Sequence, residues 1–514
     1  MAAEKTDIEH VQHVPTHDER RLSDTIADLK KSNTLDTLHN DEAVKVLAGY
    51  GGDETWSAAE EKKVIKHIDR RLLPILIITY GLQYYDKAML SQAAIFGLRT
   101  DLELTKGNRY SFSASIFYLG FIVGATPAII LAQRFPIERV AFVIVSTWGV
   151  CLMCTAACSS WQGLYTQRFF LGMLESGVSP MFMLIVAGFY KKDEQALRMG
   201  AWYCATGYVS VVSPLINYGL GHISGALSPW KYMYLVGGAI TILWAFVILF
   251  FMPPDPIRVK GFTERERYIA VARMRVNNAG VRNTHFKMRQ AAEVLTDVRF
   301  WLVFAMAFLM MIANGPVSSF IPIIINSFGF STLNSLLLTM PAGAIIGTVE
   351  LVAPYLAYKF PGNRTWIIFV CQCGTILGSF LLWLLPTGTT GGLLFACYVL
   401  ACFGGSYGVL MGVQTANTAG YTKKSVTASG IFVGYCLGNV AGPLLFKPKD
   451  APEYNTGFTI VTITAIAAAL LAIVYRYVCM WENKRRDNNC AEAYDHAYED
   501  DLTDRKNPQF RYQL

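Results

Sequence analysis

The sequence predicts an all-α membrane protein whose twelve transmembrane helices form two pseudo-symmetric six-helix bundles. Three observations predict it. Apolar windows of 19–25 residues recur along the chain, each long enough to cross a hydrocarbon core roughly 30 Å thick. Only 16% of the 514 residues are charged and 53% are hydrophobic, where a soluble domain carries about 25% charged residues. The segment "LAQRFPIER" (131–139), after the second window, returns as "LAYKFPGNR" (356–364) after the eighth, at a constant offset of 225 residues. Duplicated six-helix halves mark secondary transporters whose substrate site lies between the halves. The short alternating strands of a barrel do not appear.

The elements follow in order. Residues 1–71 are polar and mixed in charge, and are expected to form a cytoplasmic, largely disordered tail. His10, His13 and His17 cluster there, a pattern better read as tail than as a metal site. Near its end "WSAAEEKKVIKHIDRRLLP" reads as an amphipathic helix on the inner membrane surface, leading into helix 1. No apolar segment precedes Leu72, so no cleaved signal peptide is expected. Windows at 72–93, 109–132, 139–159, 161–190, 199–222 and 231–252 make an N-terminal bundle (72–252). A basic loop, 253–298, then separates it from a C-terminal bundle (299–480). The second bundle holds windows at 299–327, 332–358, 365–386, 392–413, 426–446 and 456–480. Residues 481–514 are expected to form a cytoplasmic tail.

The net charge of +7 does not imply nucleic acid. With both termini cytoplasmic, inner loops and tails hold 37 of the 45 Lys and Arg, and outer loops six. This is the positive-inside pattern. The partner expected of these helices is the lipid bilayer, and a monomer suffices. Cys151, Cys154 and Cys158 share a helix face without other ligands nearby, so no metal site is expected. The single sequon, at Asn363, falls on the cytoplasmic side. Seven of eight histidines lie in tails or the central loop, and there is no G-x-x-x-x-G-K-[ST] loop, so neither enzyme chemistry nor ATP drive is expected.

A charge at a helix centre costs about 2.5–3.5 kcal/mol on insertion scales, so such residues mark pathways or partners. Few stand away from the window ends: Asp86, Lys87, Arg168, Glu175 and Glu350. Arg168 and Glu175 are seven apart, returning to nearly one helix face about 10 Å along the axis. Gly172 lies between them and is expected to leave space beside the backbone. Arginine offers a fixed planar fork for a carboxylate, and glutamate titrates when buried. Together they are the minimum parts for coupling an anion to a proton, or else a structural ion pair. Lys87 is a second candidate for the anion, with Tyr84, Gln83 and Asn314 as further lining residues. Asp86 points about 100° from Lys87 and, with Glu350, is a further proton-site candidate. Gln372, Gln414, Asn417, Tyr435 and Asn439 suit interhelical hydrogen bonds, worth about 0.6 kcal/mol each. Arg134, Arg139, Lys359 and Arg364 are candidate gating residues in the repeated inner loops.

These features resemble the major facilitator superfamily. The repeated segment sits where that family has a Gly-x-Leu-Ala-Asp-Arg-type motif, although Gln133 replaces the acid and removes its gating ion pair. "RFFLGMLESGVSP" and the helix-1 "YDK" are similar to the anion:cation symporter branch. "NGPVSSFIPIIINSFGFS", "NTAGYTKKSVTASGIFVGYCLGNVAGPLLF", "KDAPEYNTGF" and "LTDRKNPQFRYQL" resemble the fungal allantoate permease-like group. The resemblance covers 72–514. It implies proton-coupled symport of a small organic anion by alternating access, with Arg168 binding substrate and Glu175 coupling the proton. The anion implied is an allantoate-, ureidosuccinate- or vitamin-acid-like carboxylate, with small peptides also handled by the group. No cofactor is implied beyond the proton as coupling ion. The plasma membrane is the expected location, with vacuole or endosome as alternatives. The same parts suit an exporter of an acidic metabolite or a nutrient receptor that binds without transport.

Overall fold

The computed structural model describes residue 50 and residues 55–223, 225–275, 287–386, 388–451, 453–488 and 502–514. The histidine cluster of the N-terminal tail lies outside the described residues. Everything described is helix, turn or irregular chain, with no strand among the described residues.

The first bundle contains α1 (Ala58–Ala93), α2 (Arg109–Arg134), α3 (Ile137–Cys154), α4 in two pieces (Trp161–Glu175 and Val178–Phe189), α5 in two pieces (Lys192–Tyr203 and Ala205–Gly221) and α6 (Pro229–Phe251). Two linker helices follow, Glu264–Arg275 and Met288–Leu295. The second bundle contains α7 (Val298–Ile312, Asn314–Ser319 and Ile321–Ser327), α8 (Thr332–Leu337 and Met340–Lys359), α9 (Arg364–Leu384), α10 (Thr390–Leu400 and Phe403–Ala416), α11 (Tyr421–Leu444) and α12 (Asn455–Asn488). Nine of these twelve units are long and apolar enough to span a membrane. The other three are α1, α5 and α11. The membrane piece of α5 has 17 residues, and α1 and α11 bury polar side chains such as Asp86, Gln92 and Asn439. Large apolar side chains such as Leu243, Phe250, Phe251 and Val370 stand on the exterior, where lipid satisfies them.

The bundles repeat one packing scheme. In the first, α1 packs on α5, α2 on α4 and α3 on α6; in the second, α7 packs on α11, α8 on α10 and α9 on α12. Each second-half pair is the first-half pair advanced by six helices. Two seams join the halves, α2 against α11 and α5 against α8, and the same advance exchanges one seam for the other.

We name ends inner and outer by the charge asymmetry of the loops. The α2·α11 seam is fastened from its outer end inward. Tyr110 of α2 donates to the Ser319 carbonyl of α7 (2.7 Å), Ser111 to the Phe446 carbonyl just past α11 (2.9 Å) and Ser115 to the Val440 carbonyl of α11 (2.7 Å). Tyr118 then meets Tyr435 and Phe121 meets Phe432, ring centres 6.3 and 5.6 Å apart. In the α5·α8 seam a Cβ on Gly207 would sit 2.0 Å from the Gly347 backbone nitrogen, so only glycine permits this approach.

Two terminal segments pack more closely on the protein than expected. Residues 58–71, expected to lead into helix 1, are continuous with it and turn their acids to the protein rather than standing apart. They are the first turns of α1, which runs unbroken for 36 residues from a Ser57–Glu60 capping box. Its acids face the protein: Glu60 pairs with Arg265 (2.8 Å), Glu61 with Lys191 (2.6 Å) and Asp69 with Arg198 (3.1 Å). Residues 502–514, expected to be tail, strap the inner face of the second bundle. Asp504 is buried against Lys423 (2.8 Å) and Arg299 (3.1 Å). Asn417 exchanges two hydrogen bonds with Gln513, and Asn483 two with Tyr512.

Candidate functional site

The interior where α1, α2 and α4 converge carries most of the predicted charges. α4 supplies Arg168 and Glu175 from its first piece. Pro180 lacks the N–H that would close the next turn, and α4 breaks just after Glu175. The side-chain amide of Gln83 in α1 donates to the Glu175 carbonyl at 2.9 Å, satisfying a group the break leaves open. Gln83 is itself 1% exposed, so it ties α1 to α4.

Gly172 does not leave open space, as the spacing suggested. A Cβ there would lie 2.0 Å from the Phe117 carbonyl of α2, and Gly120 and Gly124 of α2 meet the α4 backbone equally closely. Glycine on both helices lets α2 and α4 touch backbone to backbone. This contact brings the aromatic side chains of α2 beside the charges of α4.

Arg168 is buried, with its guanidinium carbon 5.0 Å from the Phe117 ring centre and its Nε donating to the Ser113 carbonyl at 3.5 Å. Lys87 is half-buried, its ammonium 5.4 Å from the Phe117 centre and 4.7 Å from that of Phe121. Two cations therefore bracket one ring, a favourable but incomplete compensation for their charge. Glu175 is fully buried, and both its carboxylate oxygens lack hydrogen-bond partners, as does one terminal nitrogen of Arg168. Arg168 and Glu175 form no ion pair with each other, nor does either with Lys87 or Asp86, among the described residues. Asp86 turns away from Lys87 and accepts from the Trp148 indole of α3 at 2.5 Å; its other oxygen is unpartnered. The four charges still lie within electrostatic reach of one another.

The remaining candidates lie elsewhere in the interior or at its inner rim. Tyr84 is half-buried on α1. Asn314, at the first break of α7, donates to Asn439 of α11 at 2.6 Å. Glu350 is buried in α8 and accepts from the Thr206 hydroxyl of α5, across the seam between halves. Arg134, Arg139 and Lys359 are exposed, and none of them reaches a carboxylate among the described residues. Arg364 lies beneath the strap, its backbone N–H donating to the Leu514 carbonyl and its side chain to that of Gly412.

Sequence reasoning missed Phe117, Phe121, Trp148 and Thr206. Phe117 and Phe121 stand four apart on α2, a spacing available in the sequence but indistinguishable there from ordinary packing. Trp148 and Thr206 are singled out only by partners 62 and 144 residues away.

Residues 76–444 match the family model described as Major Facilitator Superfamily. The chain belongs to the major facilitator superfamily. This superfamily is one of transporters and not of enzymes, and the chain is a multi-pass membrane transporter. Its relatives within the superfamily include an uncharacterised transporter of Schizosaccharomyces pombe, 35% identical over 480 residues (92% of this chain, 89% of that protein). The allantoate permease of Saccharomyces cerevisiae is 32% identical over 497 residues, covering 92% of this chain and 90% of the permease. The thiamine pathway transporter THI73 of the same yeast is 29% identical, covering 94% and 92%. Among solved major facilitator structures, the proton:xylose symporter XylE superposes with a TM-score of 0.62 at 16% identity, over 79% of this chain and 95% of XylE.

Proposed function

We propose that this transporter carries a small organic anion together with a proton, by alternating access to a site between its halves. The observation that carries this reading is the pair of cations, Lys87 and Arg168, bracketing Phe117 beside a buried and unpartnered Glu175. Lys87 and Arg168 receive the carboxylate, and the Phe117 face and the Tyr84 and Asn314 side chains line the remaining contact. Glu175 takes up the proton, because an uncompensated carboxylate in that interior is costly once the site closes over it. Asp86 and Glu350 are secondary proton sites, Gln83 positions Glu175, and the inner-loop cations Arg134, Arg139, Lys359 and Arg364 act when the inner ends approach. Moving a proton with the anion reduces the net charge translocated, which favours import down a proton gradient. The similarity to allantoate permease makes an allantoate- or ureidosuccinate-like carboxylate the first substrate to try. We place the protein in the plasma membrane as a monomer, with both termini cytoplasmic.

Uptake of a radiolabelled anion panel, measured at about pH 5 and about pH 7.5 with and without protonophore, tests the reading. Uptake is expected to be faster at the lower pH and abolished by protonophore. Arg168→Ala should eliminate uptake. Glu175→Gln should preserve exchange of internal for external anion while removing the pH drive. Normal uptake by Arg168→Ala would refute the site, and binding without flux would identify a receptor.

A further inference from the structure

The inner end of α1 sorts its charges by face. Its acids are consumed by the protein: Glu60 by Arg265, Glu61 by Lys191, and Asp69 by Arg198. Its bases are not. Lys62, Lys63, Lys66 and Arg70 are all exposed, and none forms an ion pair among the described residues. At about 100° and about 1.5 Å per residue, these four cations fall within an arc of roughly 100° and a length of roughly 12 Å. Followed outward, the i, i+4 ridge of Lys66 and Arg70 continues, drifting about 40° per step, to Pro74 and Ile78, both exposed where the helix has turned apolar, Ile78 by 43%. The face of α1 that meets lipid tails is therefore continuous with a basic stripe where headgroups begin.

We propose that Lys62, Lys63, Lys66 and Arg70 form a binding site for the headgroups of anionic phospholipids in the inner leaflet. Ammonium and guanidinium groups in a row offer charge-assisted hydrogen bonds to phosphate oxygens spaced along a leaflet. Continuity with the lipid-facing surface favours a bilayer over a soluble anion, because a headgroup held there keeps its tails against Pro74 and Ile78. The site is independent of the transport reading. It has one mechanical consequence: α1, which carries Lys87 and Asp86, becomes tethered to the leaflet at its inner end.

The test uses the full chain purified in neutral detergent, titrated with fluorescent phosphatidylserine and, separately, phosphatidylcholine. Phosphatidylserine should bind at least tenfold more tightly, and salt at about 0.5 M should reduce that preference. Combining Lys62→Gln, Lys63→Gln, Lys66→Gln and Arg70→Gln should remove the preference, at about fivefold per charge. Changing the three lysines to arginine should preserve it. The exposed inner-face pair Lys484→Gln and Arg485→Gln should alter it less than about twofold. The unfolding temperature of each variant establishes that it is folded; should the quadruple variant fail, Lys62→Gln with Lys66→Gln alone decides by the same readout. Equal affinity for the two lipids, an unchanged preference in the folded variant, or an equal loss in the Lys484/Arg485 control would overturn the proposal. So would complete displacement of phosphatidylserine by millimolar inorganic phosphate, which would indicate a small-anion site.

Discussion

A buried charge is informative through its partner. Arg168 and Glu175 sit in the interior with hydrogen-bonding capacity unused, a condition that costs several kcal/mol per ion unless something compensates. Asp297 shows the compensated case and Asp504 an incompletely compensated one. Burial opposes ionisation of Asp297, but Arg299 and Lys423 outweigh it and hold its pKa at about 2. For Asp504 burial prevails over Lys423 and Arg299, and its carboxyl is pushed above the usual carboxylate range. The sign of the consequence follows. A group whose pKa is raised in the docked strap binds protons more tightly docked than free, so falling pH favours docking. Protection of residues 502–514 from hydrogen exchange should therefore increase as pH falls through that raised value, levelling off below about 4, the ordinary aspartate range. Asp504→Asn should flatten the profile; a profile unchanged by that substitution would show that another group governs it.

At the scale of elements, close helix approach replaces the hydrophobic drive that lipid cannot supply. Gly172 is the sharpest case, since any side chain there meets the Phe117 carbonyl. Gly172→Ala should cost about 1–3 kcal/mol as an overpacked contact, visible as a lowered unfolding temperature in detergent. It should also weaken anion uptake, because Phe117 shifts away from Lys87 and Arg168. The helices themselves were largely legible in the sequence, because the free energy of inserting a span depends on summed composition. The spacing of Arg168 and Glu175 told which helix face they share. It did not tell that they stay unpaired, which depends on the Phe117 ring of α2 lying against Arg168 and on where α1 meets α4 at Glu175. Residues 58–71 were legible as an amphipathic helix leading into the first span, but nothing in their pattern told that Glu60, Glu61 and Asp69 meet Arg265, Lys191 and Arg198 from distant segments. The strap was invisible because its docking rests on buried ion pairs and backbone hydrogen bonds, which leave no apolar period behind.

At the scale of the molecule, the repeat read from two nine-residue loops extends to the whole packing scheme. The i to i+6 correspondence of helix pairs is a property that loops alone predict only in outline. The α2·α11 seam is closed at its outer end, so opening the interior to the outside along this seam requires it to part. Ser115→Cys combined with Val440→Cys puts cysteines on α2 and α11 where the Ser115 hydroxyl donates to the Val440 backbone carbonyl. Mild oxidation should crosslink the pair and halt transport, and reductant should restore it. Continued transport in the crosslinked protein would mean that this seam does not open during the cycle.

At Gly207, Gly343 and Gly347 the polypeptide backbones of opposite halves abut with no side chain between them. Such a joint has nothing soft to compress and little to slide upon, so it behaves as a fulcrum. Were the halves to rock about it, their far edges would travel furthest, while Thr206, next to Gly207, and Glu350, one turn past Gly347, would move least of all.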